Sequence, residues 1–381
     1  MNEQSEQQTK PACPYYGICG GCQLQHLPYT QQLANKEQRL AYLLKPYYSG
    51  SLAVFASEPY GYRSRMDFIV TNKGLGQRSD RGTIAITTCP ISNPKIETAL
   101  TEINAWLAKT PSIEAFDPKR RAGTLKYVVV RAADSVAVSL MLNEDSPKLG
   151  AHVDAIKEFA LTSSIPNILV AYSASTQDDS LSLEFFAAKG SEFLTEQFLG
   201  APLTYHAQSF FQNNPRVAES MVTWARDALI ANNCKDKIVV DAYGGVGTFA
   251  FPIAAHCAKV MSVESHPLAA TCIAETKHRT NVSNIDAFTL DAGAMHKLNI
   301  PKDALFIVDP PRSGMDQRAL RYLLQQAPPV IAYISCNPAQ LAKELVILGK
   351  DYEVTTAALF DMFPQTNHIE AAVILKRRTQ I

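Results

Sequence analysis

The sequence lacks most of what would take a chain out of the cytosol. Its first ten residues, MNEQSEQQTK, have neither a basic start nor an apolar core, so they are not a secretory signal. No apolar run approaches the roughly 18 residues needed to cross a bilayer. Cysteine is sparse, eight in 381 residues, which excludes a disulfide scaffold. Net charge is absent: 36 Lys and Arg balance 36 Asp and Glu, so global charge announces no nucleic-acid partner. These absences predict a cytoplasmic protein of two or three domains, with no call for a membrane or an obligate protein partner.

What is present is clustered. Cys13, Cys19 and Cys22 fall within ten residues, in CPYYGICGGC, with spacing C-x5-C-x2-C. In a reducing compartment such a group binds metal or does chemistry more often than it cross-links. Basic residues also gather locally. Arg63, Arg65, Lys73, Arg78 and Arg81 lie between 60 and 90, and Lys119, Arg120, Arg121, Lys126 and Arg131 between 117 and 131. Tyr60, Tyr62, Phe68 and Tyr127 are interleaved with them. The pattern suits a phosphate-tracking face with stacking rings, or an ordinary solvated sheet.

Residues 1–12 read as a disordered tail. From 13 to 204 the pattern is mostly strand-like, as in RMDFIVTN, LKYVVVRAA and SVAVSLML, with helical stretches near 96–108 and 151–160. This predicts an α+β region rich in antiparallel sheet. From 205 to 381 strands alternate with helices, which predicts a doubly wound, Rossmann-like parallel sheet with an antiparallel ending, an α/β domain. Ligands of such sheets sit at the carboxyl ends of the strands.

Each strand end carries a candidate. In VVDAYGGVG, Asp241 precedes a turn of Gly244, Gly245 and Gly247 that lets a ligand approach bare backbone. The next strand ends at Glu264, placed for ribose hydroxyls. The acid before the turn favours S-adenosylmethionine over a dinucleotide, although the glycine pattern alone is weak. Asp309 stands before Pro310 and Pro311, held to meet the edge of a uracil ring. Cys336 closes a strand and precedes Asn337 and Pro338, a helix start, where a thiol is expected to have a lowered pKa. His368 and Glu370 enter the last strand. Uracil C5 becomes nucleophilic when a thiolate adds at C6, and a base must then remove the C5 proton. Cys336, the glycine turn with Glu264, Asp309 and Glu370 supply that set.

DAYGGVGTFAFPIA, VDPPRSGMD, YISCNPAQLAKEL and MFPQTNHIEAAVIL together resemble the RNA (uracil-5-)-methyltransferase family. With C-x5-C-G-G-C-x2-Q-H, the chain is most similar to the iron–sulfur, 23S rRNA branch of that family. The resemblance implies Cys336 as nucleophile and Glu370 as base. It implies Gln212, Tyr243, Glu264 and Asp309 as S-adenosylmethionine contacts, Asp291 as a weaker one, and a [4Fe-4S] cluster on Cys13, Cys19, Cys22 and Cys89. Zinc on the same four ligands is the chemical alternative. Only 12 residues precede Cys13, so an extra β-barrel domain seen in some relatives is not expected, and the short N-terminus points to the members acting at uracil 747 of 23S rRNA. Two other classes remain open: a non-catalytic zinc-binding RNA module, and an NAD-linked iron–sulfur reductase. A radical S-adenosylmethionine enzyme is disfavoured because the C-x3-C-x2-C spacing is missing.

Overall fold

The computed structural model describes residues 9–379. The chain opens with α1 (Tyr29–Leu44) and β1 (Ala53–Phe55), followed by β2 (Arg65–Thr71), β3 (Gly74–Ser79), β4 (Gly82–Ala85) and α2 (Pro94–Lys109). Then come β5 (Leu125–Ala132), β6 (Val136–Asn143), α3 (Leu149–Thr162), β7 (Asn167–Ser173), β8 (Phe185–Lys189), β9 (Phe193–Phe198) and β10 (Ala201–His206). The second half holds α4 (Pro215–Ala231), β11 (Ile238–Ala242), α5 (Ala250–Ala254), β12 (Lys259–Glu264), α6 (Leu268–Thr280) and β13 (Ile285–Thr289). It ends with β14 (Leu305–Val308), α7 (Gln317–Gln326), β15 (Val330–Ser335), α8 (Pro338–Leu348), β16 (Tyr352–Phe360) and β17 (Glu370–Arg377).

The described residues form two compact units: 9–29, 58–196 and 206–208 make the first, and 30–57, 197–205 and 209–379 the second. The expected block 13–204 is therefore not one body. The segment carrying α1 and β1 belongs to the second unit, because Leu40 and Leu44 are buried among Val240, Phe306 and Tyr333, and β1 pairs in parallel with β16. Of the expected tail, 1–8 lies outside the described residues. Thr9 is held in place, its N–H on His26 O at 2.9 Å and its hydroxyl on Gln25 O at 2.9 Å.

In the first unit seven strands form one sheet in the order β4-β3-β2-β5-β6-β7-β8. All pairs are antiparallel except β6 with β7, which α3 connects. Alternation decides the faces. Phe68, Val70, Val128, Val130, Leu140 and Ile168 meet Ile96, Leu100 and Ile103 of α2 and Ile156 and Phe159 of α3. Tyr127, Val129, Met141 and Ala171 form a smaller cluster on the other face. The α+β expectation holds here, although β3, with two glycines in GLGQRS, was not expected as a strand.

The second unit holds an eight-stranded sheet in the order β1-β16-β17-β15-β14-β11-β12-β13. Pairs among β11 to β15 are parallel and β17 is antiparallel to both its neighbours. This is the expected doubly wound α/β sheet with an antiparallel ending. Antiparallel insertion has one consequence for the site. The start of β17 lies at the same edge as the carboxyl ends of β11, β12, β14 and β15.

Candidate functional site

That edge gathers the sequence candidates of the second unit. Ser335 pairs with Ala371, and continuing the register by one residue sets Cys336 opposite Glu370. Asp309 leaves β14 beside β11, its N–H on Ala242 O at 3.3 Å. Gln212, just before α4, donates from Nε2 to Asp309 Oδ2 at 3.3 Å. Glu264 ends β12 and accepts from Gly245 N at 3.2 Å and His266 N at 2.9 Å, which fixes its carboxylate against the glycine turn. Tyr243 enters that turn in left-handed backbone, φ 65°. Asp291 lies at the rim of this group, near enough to Tyr243 for its charge to raise that phenol's pKa. It is exposed, caps a short 3-10 helix (Ala292–Lys297) through Gly293 N at 2.9 Å, and lies 3.6 Å from Arg318.

The turn requires its glycines. A Cβ at Gly244 would lie 2.3 Å from Ser262 Oγ and 3.0 Å from Asp241 Oδ2, and Gly247 has φ +89°. Asp241 is fully buried behind the turn, where burial, Asp309 and Glu264 all raise its pKa. Asn337 caps α8 as expected, accepting from Gln340 N, with Pro338 in the first turn.

The electrostatics correct one expectation. The Cys336 thiol is not acidified by the helix start. Burial, Glu370 and Asp309 push it up to about 12, against a smaller opposing effect of Arg312. Burial disfavours the thiolate most, the two acids add to it, and together they outweigh Arg312 and a backbone hydrogen bond. Burial and then Glu264 raise Asp309 to about 7. Glu370, only 5 % exposed, is raised well above the usual carboxylate range by burial and then Asp309. It is not a solvated strand-entry acid. Thiol and carboxyls thus form one proton-holding group, which suits proton exchange at a reacting carbon.

Residues that sequence reading missed hold this edge in place. Glu344 accepts from Tyr333 OH at 2.5 Å and Met315 N at 3.1 Å, bracing the loop after Pro311. Gly314 there has φ +85°, and a Cβ would meet Glu344 Oε1 at 2.0 Å. Only the SG of PRSG hinted at it. Arg312 lies 3.4 Å from His368 Nδ1. The segment before Glu370 is tied to α1. Lys36 Nζ reaches Asp361 Oδ1 at 2.6 Å and Phe363 O at 2.9 Å, and the Gln32 side chain bonds Gln365 twice, at 2.9 and 3.0 Å. These partners lie more than 300 residues apart, so no local pattern marks them.

In the first unit, Cys13, Cys19, Cys22 and Cys89 line one cavity together with Arg63 and Gln25. The N-terminal segment is pinned onto β3, with a bridge between Cys19 and Ser79 and Gly20 N on Arg78 O at 2.9 Å. Glu97 accepts from Cys89 N at 2.9 Å. Burial raises Cys22 to about 11 and Cys89 to about 12, with neighbouring thiols adding to it. Among the described residues, no three His, Cys, Asp or Glu side chains are grouped to hold a metal ion.

The expected basic face is smaller than the sequence suggested. Arg65 is buried and bonds Asp67 through two nitrogens, at 2.6 and 2.8 Å. Lys126 is buried with its ammonium on Ser173 Oγ, Ala174 O and Gln177 O, and Arg131 is buried too. Phe68 and Tyr62 are core residues and not stacking platforms. Lys73, Arg78, Arg81, Lys119, Arg120 and Arg121 remain exposed.

With this geometry in hand, the chain can be set beside known proteins. Residues 196–378 match the family model described as tRNA (Uracil-5-)-methyltransferase. A tRNA (uracil(54)-C(5))-methyltransferase from Pyrococcus horikoshii is 30% identical over 94% of this chain and 84% of its own length. An uncharacterized RNA methyltransferase from Lactiplantibacillus plantarum is 29% identical over 99% of this chain and 82% of its own. Among solved structures, the Pyrococcus abyssi tRNA (uracil-54, C5)-methyltransferase in complex with S-adenosyl-L-homocysteine superposes with a TM-score of 0.76. It is 26% identical and covers 94% of this chain and 86% of its own. The strand-end residues and these full-length likenesses lead to one assignment: the chain belongs to the RNA (uracil-5-)-methyltransferase family.

Proposed function

We propose that this protein methylates C5 of a uracil in RNA through a covalent bond between Cys336 and uracil C6. The observation that carries the reading is the meeting of Cys336, Glu370 and Asp309 at one sheet edge beside the glycine turn. S-adenosylmethionine, bound along Gln212, Tyr243, Glu264 and Asp309 with Asp291 further out, supplies an electrophilic methyl group. The solved relative bound to S-adenosyl-L-homocysteine supports that choice.

The residues then act in order. Cys336 releases its proton to solvent, its thiolate bonds to uracil C6, and the C5=C6 electron pair becomes available at C5. Asp309 steadies the uracil edge, and its raised pKa lets it donate as well as accept a hydrogen bond. C5 takes the methyl group from the sulfonium, which leaves as the neutral thioether; ionised Glu370 then takes the C5 proton, the C6–S bond breaks to return the Cys336 thiolate, and 5-methyluridine leaves. A carboxylate with a raised pKa is a stronger base for that step. Arg312 favours the thiolate before attack and after release.

The four cysteines of the first unit are assigned to a [4Fe-4S] cluster. A single zinc would need four sulfurs about 2.3 Å from one point, whereas a cluster receives its thiolates at separate corners. What supports the cluster is the C-x5-C-x2-C spacing together with the cavity that all four thiols line. The cluster's part is structural, holding the N-terminal segment on β3, since methyl transfer involves no net oxidation. The protein works in the cytoplasm; among the described residues no helix is long and apolar enough to cross a membrane.

The substrate is assigned to 23S rRNA, at uracil 747, on the resemblance of the cysteine motif alone. A transfer RNA is the second reading, favoured by the names of the two archaeal relatives. Incubation with each RNA and methyl-labelled S-adenosylmethionine, followed by mapping of the methyl group, decides between them. Label at a uracil C5 of 23S rRNA is expected. Label confined to transfer RNA moves the substrate, and no label on either RNA removes the reading.

A further inference from the structure

Beside the cysteine cavity the first unit has a second cavity of about 370 Å³, a size typical of small-ligand sites. Arg63 lines both cavities. Its Nε donates to Arg65 O at 2.9 Å, and its charge also reaches the Cys22 and Cys89 thiols, whose pKa values it lowers. The wall next to it is the backbone of Gly20 and Gly21, from the cysteine segment itself. Met66, Ile69 and Tyr127 line the cavity, Met66 and Tyr127 showing it only a small part of their apolar surface. At its mouth stand Arg78 and Asp178, 2.8 Å apart and each 69% exposed, with Tyr127 OH donating to Asp178.

This is an uncommon mixture for a basic surface that merely follows a phosphate backbone. A tracking surface needs cations and no acids. Here a cation, some apolar surface with a ring, and an acceptor carboxylate converge on a space of limited size. Proteins that bind an unstacked nucleotide combine these elements: a cation for the phosphate, apolar or aromatic surface for the base, and acceptors for its N–H edge. We propose that this cavity receives one unpaired nucleotide of the substrate RNA, distinct from the uridine that is methylated. A phosphate meets Arg63, the base lies against Met66, Ile69 and Tyr127, and its N–H edge meets Asp178. The cysteine segment, as one wall, shapes this subsite. The inference rests on the RNA-methyltransferase reading above.

Asp178 provides the sharp test, because the two views of this surface predict opposite signs. If the surface only attracts phosphates, Asp178→Ala removes a negative charge and tightens RNA binding. If Asp178 accepts from a base, the same change weakens binding about three- to tenfold. Arg78→Ala should weaken it and lower the slope of log affinity against log salt by about 1. Both side chains are mostly exposed, so the fold is expected to survive, and unchanged S-adenosylmethionine binding serves as the control. Full-length protein would be titrated with a 23S rRNA fragment at several salt concentrations. A parallel irradiation with 4-thiouridine-substituted RNA would map crosslinks, expected at residues 63–78 or Tyr127. Tighter or unchanged binding by Asp178→Ala, or crosslinks that avoid these residues, overturns the subsite. If the wild type methylates no RNA, the parent reading fails instead, and the subsite falls with it.

Discussion

Half-buried thiols stand at both candidate sites, and partial burial raises the pKa at each. In the first unit Cys22 and Cys89 rise to about 11 and about 12, and in the second Cys336 rises to about 12. Their company differs. Cys22 and Cys89 have other thiols and the Arg63 guanidinium as neighbours, and Cys89 has the Glu97 carboxylate as well. Cys336 has two carboxyl groups whose own proton affinity is raised, Glu370 and Asp309. A thiol among thiols can lose several protons at once only to something that brings positive charge, which a metal cluster does. A thiol among acids can exchange a proton with them, which catalysis at a carbon centre requires. The two proposed roles differ less in burial than in neighbours, several thiols at one and two carboxyl groups at the other.

The largest expected effect tests the catalytic side of that contrast. Cys336→Ala should lower methyl transfer by at least about a thousandfold, since no other group can add to C6. S-adenosylmethionine binding, read by calorimetry, should stay within about twofold. A variant retaining a few per cent of wild-type activity would put Cys336 with the structural thiols.

Glu370→Gln comes next. It keeps the shape but cannot take the C5 proton, so turnover should fall about a hundredfold or more. One methyl should still be transferred per site, and a protein–RNA adduct should survive denaturing electrophoresis. The double change Cys336→Ala with Glu370→Gln should give no adduct. Near-normal turnover by the single variant would show that the acid company of Cys336 is not part of the chemistry.

On the other side, Cys89→Ser should cost iron and stability in the first unit, with loss of the brown colour expected of protein purified without air. The methyltransferase unit should still bind S-adenosylmethionine. Metal analysis that finds one zinc and no iron in the wild type would replace the cluster, though not the contrast.

The smallest effect is a pH dependence. Asp309 moves from an ordinary value of 3.8 to about 7 on folding. Between those values the folded state keeps a proton that the unfolded state releases. The stabilisation is complete below about pH 4 and lost as pH rises through about 7. Denaturant titrations of wild type and Asp309→Asn should therefore diverge over that interval by on the order of a few kcal/mol, the variant losing less. A difference independent of pH would mean that Asp309 is solvated and not part of the proton-holding group.

Much of this was legible before the structure. The alternation of strand and helix after residue 205 marks a doubly wound sheet, because both periodicities arise within a few residues of chain. The glycine turn and Asn337–Pro338 cap are likewise short-range and appear where expected. Other features were out of reach. Arg65 reads as an exposed cation, yet it is buried against Asp67 and bonds Ser180, 115 residues on. The helix α1 follows the cysteine segment in sequence but is buried in the other unit, since Leu40 and Leu44 find their apolar partners there.

By itself the sequence determined the strand ends and which chemical groups stand on them, because backbone geometry and side-chain identity are local properties. Tertiary structure decided what those groups face. It reversed β17 in the sheet, and so brought Glu370 to Cys336 across 34 residues of chain. It drew Lys36 to Asp361 and locked the segment that leads to Glu370. It also set the direction of the Cys336 pKa shift, since a proton's affinity follows desolvation and neighbouring charge, and both exist only once distant segments pack together.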